Sequence, residues 1–216
     1  MIVQDILTRV QRSFGDTANI QIDQTDIIRW INDAQAEIVL QNKLLQTIST
    51  SATITGQSSY TLPTNILTLR SIKVDGINIK ALSLSEAETE IPNFDNAATY
   101  PVDIPRSFWI WANQFTLYPA PSSQVSTIKL YYVRTPVDVT LLTDTPDLPT
   151  SYHNRLVEYC LQQAYELDEN WAAAQAKGSQ FAAGVQQTRN LTDWPEEAFY
   201  PSITSTDTSF DYIYGY

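Results

Sequence analysis

What most constrains this chain is the order in which its hydrophobic periodicities change. Apolar residues recur at helical spacing near the start, give way to strand-like runs through a long proline-punctuated middle, and return to helical spacing after Pro149; an aromatic and acidic stretch closes the sequence. The pattern predicts an α+β fold: a helical bundle drawn from N- and C-terminal helices, an inserted antiparallel β-rich region, and an extended C-terminal arm. The corresponding segments are residues 1–48, 49–149, 150–189 and 190–216. With 216 residues and 43% hydrophobic content, the chain can bury a sizeable core as one composite domain.

Val3, Leu7, Val10 and Phe14 define a first helix that Gly15 can stop. A second begins near Asp23 or Thr25, carries Ile27, Ile31, Ala34 and Ile38 on one stripe, and extends to about Leu45. From Thr50 the period changes: SATIT and SYTLP predict two strands around a tight connection. Ile66–Val74 and Ile77–Leu82 predict a hairpin turned at Asp75-Gly76. Ser83 and Glu86 stand at capping-box spacing for a short helix that Pro92 ends. After a loop to Pro105, FWIWA, QFTLYP and the run from Thr127 to Thr135 predict three antiparallel strands, and prolines 136, 146 and 149 mark an extended return path. Thr150 or Ser151 can cap a helix whose inner face holds Leu156, Cys160, Ala164 and Leu167. A closing helix of about Asn170 to Arg189 is rich in alanine and contains Gly178 and Gly184, so that a neighbouring helix or subunit can approach it closely.

The chemistry of catalysis is sparse. His153 is the only histidine and Cys160 the only cysteine, which leaves no disulfide, no zinc ligand set and no developed triad; His153 is expected to be a surface or interface residue at a helix start. The six glycines are isolated and form neither a P-loop nor a dinucleotide fingerprint, and no cofactor is expected. Glu86, Glu88 and Glu90, and the pair Asp144 and Asp147, are read as capping and turn residues in preference to paired catalytic carboxylates, so the chain is expected not to be an enzyme. Neither a signal peptide nor a membrane span is expected. The net charge of −11 is spread along the chain without a Lys/Arg cluster, which argues against tight DNA binding but suits a passage that DNA must traverse without sticking.

Two aromatic groups remain. Phe108, Trp109, Trp111, Phe115 and Tyr118 crowd the predicted strands, where core or subunit interface is favoured over a sugar-stacking platform. In the final segment Trp194, Phe199, Tyr200, Phe210, Tyr212, Tyr214 and Tyr216 alternate with acids, with Pro195 and Pro201 between them and no basic residue after Arg189. Such a segment does not easily fold alone, yet carries interface-anchoring side chains, so these seven aromatics are the candidate partner-binding residues of a docking arm.

Three motifs occur in order: RWINDAQAEI at Arg29–Ile38, LPTNILTLRSIKVDG at Leu62–Gly76, and LPTSYH at Leu148–His153. Together they resemble the head-to-tail adaptor (connector) proteins of tailed bacteriophages. The resemblance implies a structural virion protein of the neck, assembled in the host cytoplasm as a ring, commonly of twelve copies, below the portal. Its implied partners are the portal protein, a tail or nozzle protein, identical neighbouring copies, and viral DNA passing through the lumen without sequence-specific binding, with no membrane involved. The alternative reading is a carbohydrate-binding or other tail-associated β module.

Overall fold

The computed structural model describes residues 1–16, 20–122 and 126–192, with the side chains of 190–192 excepted. Among them are five α-helices and three sheets in an α+β arrangement. Helix α1 (Val3–Phe14) starts with the Asp5 carboxylate accepting the Ile2 N–H at 3.1 Å. It stops at Gly15, whose φ of 97° places it in the left-handed region and lets its N–H reach the Gln11 carbonyl. Helix α2 (Gln24–Asn42) is capped by Asp23, which accepts the Thr25 N–H at 2.9 Å. Its stripe of Ile27, Ile31, Ala34 and Ile38 is fully buried. The helix ends at Asn42 instead of near Leu45, because Lys43 and Leu45 both take positive φ and turn the chain directly into strand β1 (Gln46–Ala52).

Strand β1 therefore begins earlier than its sequence signal, and it does not pair with β2 (Ser59–Thr61) across a tight turn. The two belong to different sheets. Strand β3 (Ile66–Val74) turns at Asp75 and Gly76, with φ of 49° and 83°, into β4 (Ile77–Asn78), the two-residue turn expected of Asp-Gly. The run to Leu82 then leaves that sheet at the buried Ile79 and continues as β5 (Lys80–Ala81) in the second one. Helix α3 (Leu84–Glu90) follows with both halves of its capping box formed between Ser83 and Glu86. Strands β6 (Val102–Asp103), β7 (Ser107–Trp111), β8 (Gln114–Tyr118), β9 (Ala120–Pro121) and β10 (Thr127–Arg134) complete the set.

The larger sheets run β1-β10-β3-β4, antiparallel throughout, and β2-β8-β7-β5, in which only the short β5–β7 pairing is parallel; β6 and β9 form a small parallel ladder. Strand β10 is thus not a third neighbour of the β7–β8 hairpin. Its Ile128, Leu130 and Tyr132 face the other sheet and share one core with Phe108, Phe115 and Leu117. Local strand propensity identified these runs, but sheet partnership depends on which faces must be covered, and that is a tertiary matter.

Helix α4 (His153–Leu167) packs against α1, α2 and α5 (Trp171–Thr192), burying Leu156, Cys160, Leu161 and Ala164 in one core with the α2 stripe. Neither Thr150 nor Ser151 caps it; a 3₁₀ turn over Thr150–Tyr152 leads into the helix instead. Leu167, expected on the inner face, is 60% exposed because α4 ends there and the chain reverses into α5.

The α5 glycines have a packing reason inside the chain. A Cβ on Gly184 would stand 2.2 Å from Arg155 Nη1, and one on Gly178 2.9 Å from Gln162 Oε1, both on α4. Arg155 is held by Glu158 at 2.7 Å and would meet the new carbon with Nη1, Cζ and Nε at 2.2–2.6 Å, whereas only the outer oxygen of Gln162 falls below 3.0 Å, an overlap that its amide, which donates to Glu166 at 2.8 Å, relieves by a small shift. Gly178→Ala should therefore gain up to about 1 kcal/mol from helix propensity, while Gly184→Ala should lower the melting temperature by displacing Arg155 from its pair; thermal denaturation of the two variants checks the opposite signs.

Candidate functional site

His153 and Cys160, from which any imidazole-assisted nucleophile would have to be built, both sit on buried positions of α4. His153 is 2% exposed, which corrects the expectation of a surface residue. Its Nε2–H donates to the Leu148 carbonyl at 2.9 Å, tying the end of the return path to the start of the helix, and burial pushes its pKa below the usual 6.5. Burial likewise pushes the Cys160 thiol up, away from the thiolate that nucleophilic attack needs.

Two of the three α3 glutamates, Glu86 and Glu90, do structural work, and Glu88 is exposed. Glu86 accepts from the Ser83 N–H at 2.7 Å, which holds its carboxyl below the usual range, and Glu90 pairs with Lys80 at 3.0 Å. Asp144 and Asp147 do line one shallow surface pocket with Asp138, of about 550 Å³, but each is committed. Asp144 accepts the Leu141 and Thr140 N–H groups at 2.8 and 2.9 Å. Asp147 takes both guanidinium nitrogens of Arg134, with Nη2 at 3.0 Å, and the Val137 N–H at 3.0 Å. The backbone donors of Leu141 and Thr140 hold Asp144, and Arg134 above all holds Asp147, below the ordinary carboxylate value of 3.8. A general acid needs the opposite shift. No group of residues suited to a metal ion is found among the described residues.

These carboxylates predict acid sensitivity. Asp16, which accepts the N–H groups of Ile20, Gln21 and Ile22 at 2.9–3.0 Å, is depressed in the same way, first by the Ile20 donor. Because folded values lie below unfolded ones, the stabilisation is present above pH 3.8 and is lost as pH falls through the folded values. The urea midpoint should fall steeply below about pH 4, and Asp147→Asn should lower it at neutral pH while flattening that fall.

The aromatic strand residues separate by face. Phe108 enters the core between the two large sheets, while Trp109 packs on the other side of β7 against Phe94 and Tyr100, at ring-centroid distances of 5.1 and 6.0 Å. Strand β7 is thus covered on both faces at Phe108 and Trp109, while Ile110 and Trp111 beyond them are exposed. Phe115 is buried, Tyr118 stands edge-on to Tyr100, and Trp111 at the hairpin tip is 65% exposed. A sugar platform built from Trp109 and Trp111 together is therefore absent.

Two polar side chains missed in the sequence prove central. The Asn32 amide donates to the Val139 carbonyl at 3.0 Å and accepts the Val139 N–H at 2.8 Å, pairing with the return path as a neighbouring strand would. Gln35, fully buried one turn on, donates to Asn32 Oδ1 and accepts the Asp147 N–H at 2.6 Å. They fasten α2 to the connection from the β-rich region. Their signal was an amide inside the apolar stripe of the RWINDAQ motif, where a buried polar group must find partners.

On α5, Ala174, Phe181, Gly184 and Val185 face inward, while Ala172, Ala176, Ser179 and Ala183 leave a low outer face in solvent. The seven aromatics from Trp194 to Tyr216 lie outside the described residues. A family model described as SU10 adaptor protein matches residues 1–203 of the chain. No curated protein matches it.

Proposed function

We propose, for a chain that belongs to the SU10 adaptor protein family of phage head-tail adaptors, that it forms a ring below the portal, joins capsid to tail and continues the DNA channel. The phage adaptor role itself is structural. The ring, commonly of twelve copies, sits in the virion neck after assembly in the host cytoplasm. Its partners are the portal, a tail or nozzle protein and identical neighbours, with DNA as cargo in transit. No helix among the described residues is long and apolar enough to cross a membrane.

The observation that carries this reading is the family match over residues 1–203. Three features support it. The outer face of α5, with Ala172, Ala176 and Ala183, admits close lateral approach by a neighbour. Excess acid, 24 carboxylates against 13 bases, suits a wall that DNA passes without adhering. The segment from residue 190 onward offers aromatic anchors for a partner surface, with Trp194, Phe199, Tyr200, Phe210, Tyr212, Tyr214 and Tyr216 as the docking residues. In this arrangement the helices form a bundle at the ring and residues 49–149 project from it as the β-rich insertion. Electron cryomicroscopy of intact particles, with mass measurement of the isolated neck, is expected to find the chain as a closed ring at the portal-tail junction; a solitary copy there would sink the reading.

A further inference from the structure

The β1-β10-β3-β4 sheet is an electrostatic exception in this acidic protein. None of its four strands carries a carboxylate, yet Lys73 and Lys129 occupy directly opposed positions on β3 and β10. Both project from the face opposite Ile72, Leu130 and the shared sheet core, since their neighbours in the alternation, Ile128 and Val74, are buried. Like charges directly across an antiparallel pair repel. Neither lysine has an ion pair among the described residues; Lys73 instead lies over the Tyr131 ring, 4.9 Å from its centroid. Beside them a groove of about 420 Å³ is lined by Ile48, Ser71 and Tyr131, among others, and the exposed Ile48 pairs with Tyr131 across β1. Strand β1 is an open sheet edge of seven residues with neither charge nor proline to protect it.

We propose that this face docks residues 193–216 of a neighbouring copy. The segment is the chemical complement of the surface: it holds Asp193, Glu196, Glu197, Asp207 and Asp211, no lysine or arginine, and aromatic residues throughout. A carboxylate between Lys73 and Lys129 relieves their repulsion, and an aromatic ring fills the groove beside Ile48 and Tyr131. The departure point is also right. Asn42, four residues before β1, donates to the Val185 carbonyl of α5 at 3.4 Å, so α5 passes beside the start of β1 about two turns before it ends at Thr192. The inference rests on the reading that the segment docks outside its own copy.

The test is zero-length carbodiimide coupling of lysine to carboxylate in neck assemblies built from equal amounts of ¹⁴N- and ¹⁵N-labelled chains, read by mass spectrometry. The expected result is peptides joining Lys73 or Lys129 to a carboxylate of residues 193–216, with mixed-isotope pairs as frequent as same-isotope pairs. Same-isotope pairs alone overturn the proposal by placing the segment on its own copy, and with it the docking role. Links from these lysines only to another protein, or to no part of residues 193–216, overturn the assigned surface while leaving the docking role standing. In a second measurement, Lys73→Glu with Lys129→Glu should lower incorporation into necks at least tenfold, and Asp207→Lys with Asp211→Lys in the same chains should restore it; unchanged incorporation, or no restoration, counts against the proposal.

Discussion

A chain ended after Thr192 should keep the circular dichroism spectrum and melting temperature of the full protein yet fail to attach to portal or neck assemblies. The stop belongs there, three residues beyond the expected boundary at Arg189, because α5 continues to Thr192. Folding should survive because, among the described residues, three hydrophobic cores already assemble from side chains no later in the chain than Val185. Attachment should not survive. Seven aromatics are removed with the segment, and if only two act as anchors at about 2 kcal/mol each, affinity falls roughly a thousandfold. Co-sedimentation of the shortened chain with portal particles measures this; retention at the level of the full chain would refute the docking role.

Asn32→Leu should produce the largest loss of stability of any single change on α2 that leaves its hydrophobic stripe intact. The substitution keeps the number and branching of side-chain heavy atoms and favours the helix, so propensity predicts little effect. The structure predicts otherwise: Val139 is buried, and both its N–H and its carbonyl lose their partner at once, as does the Gln35 amide. Stranded buried donors and acceptors cost about 1–3 kcal/mol each, so a loss on the order of 3 kcal/mol is expected in urea denaturation. Gln35→Leu releases the Asp147 N–H, whose carboxylate also holds Arg134 and Val137. Because the two amides share a hydrogen bond at 3.2 Å, the double variant should lose less than the sum of the singles. Strict additivity would show that they do not act as one fastening.

Much of the helical part was readable in the residues. The stripe of Ile27, Ile31, Ala34 and Ile38, the Asp23 cap, the Gly15 stop and the Ser83–Glu86 box depend on neighbours three or four positions away, and local periodicity records such contacts directly. The Asp75-Gly76 hairpin was readable for the same reason, since the turn requires two consecutive residues with positive φ. The motifs at Arg29, Leu62 and Leu148 also pointed to the family that the match over residues 1–203 establishes.

Partnership at long range was not readable. That β10 joins β1 and β3 while β7 and β8 belong to another sheet, that one run changes sheets at Ile79, and that Trp109 is buried while Trp111 is not, all follow from which surfaces cover one another. The pairing of Asn32 with Val139 spans 107 residues, and that of Lys73 with Lys129 joins strands separated by most of the β-rich region. In the sequence those two lysines are isolated cations in an acidic chain, and no basic cluster is visible. Only the antiparallel register of β3 and β10 sets them face to face, because sheet geometry brings cross-strand residues to within about 5 Å however far apart they lie along the chain.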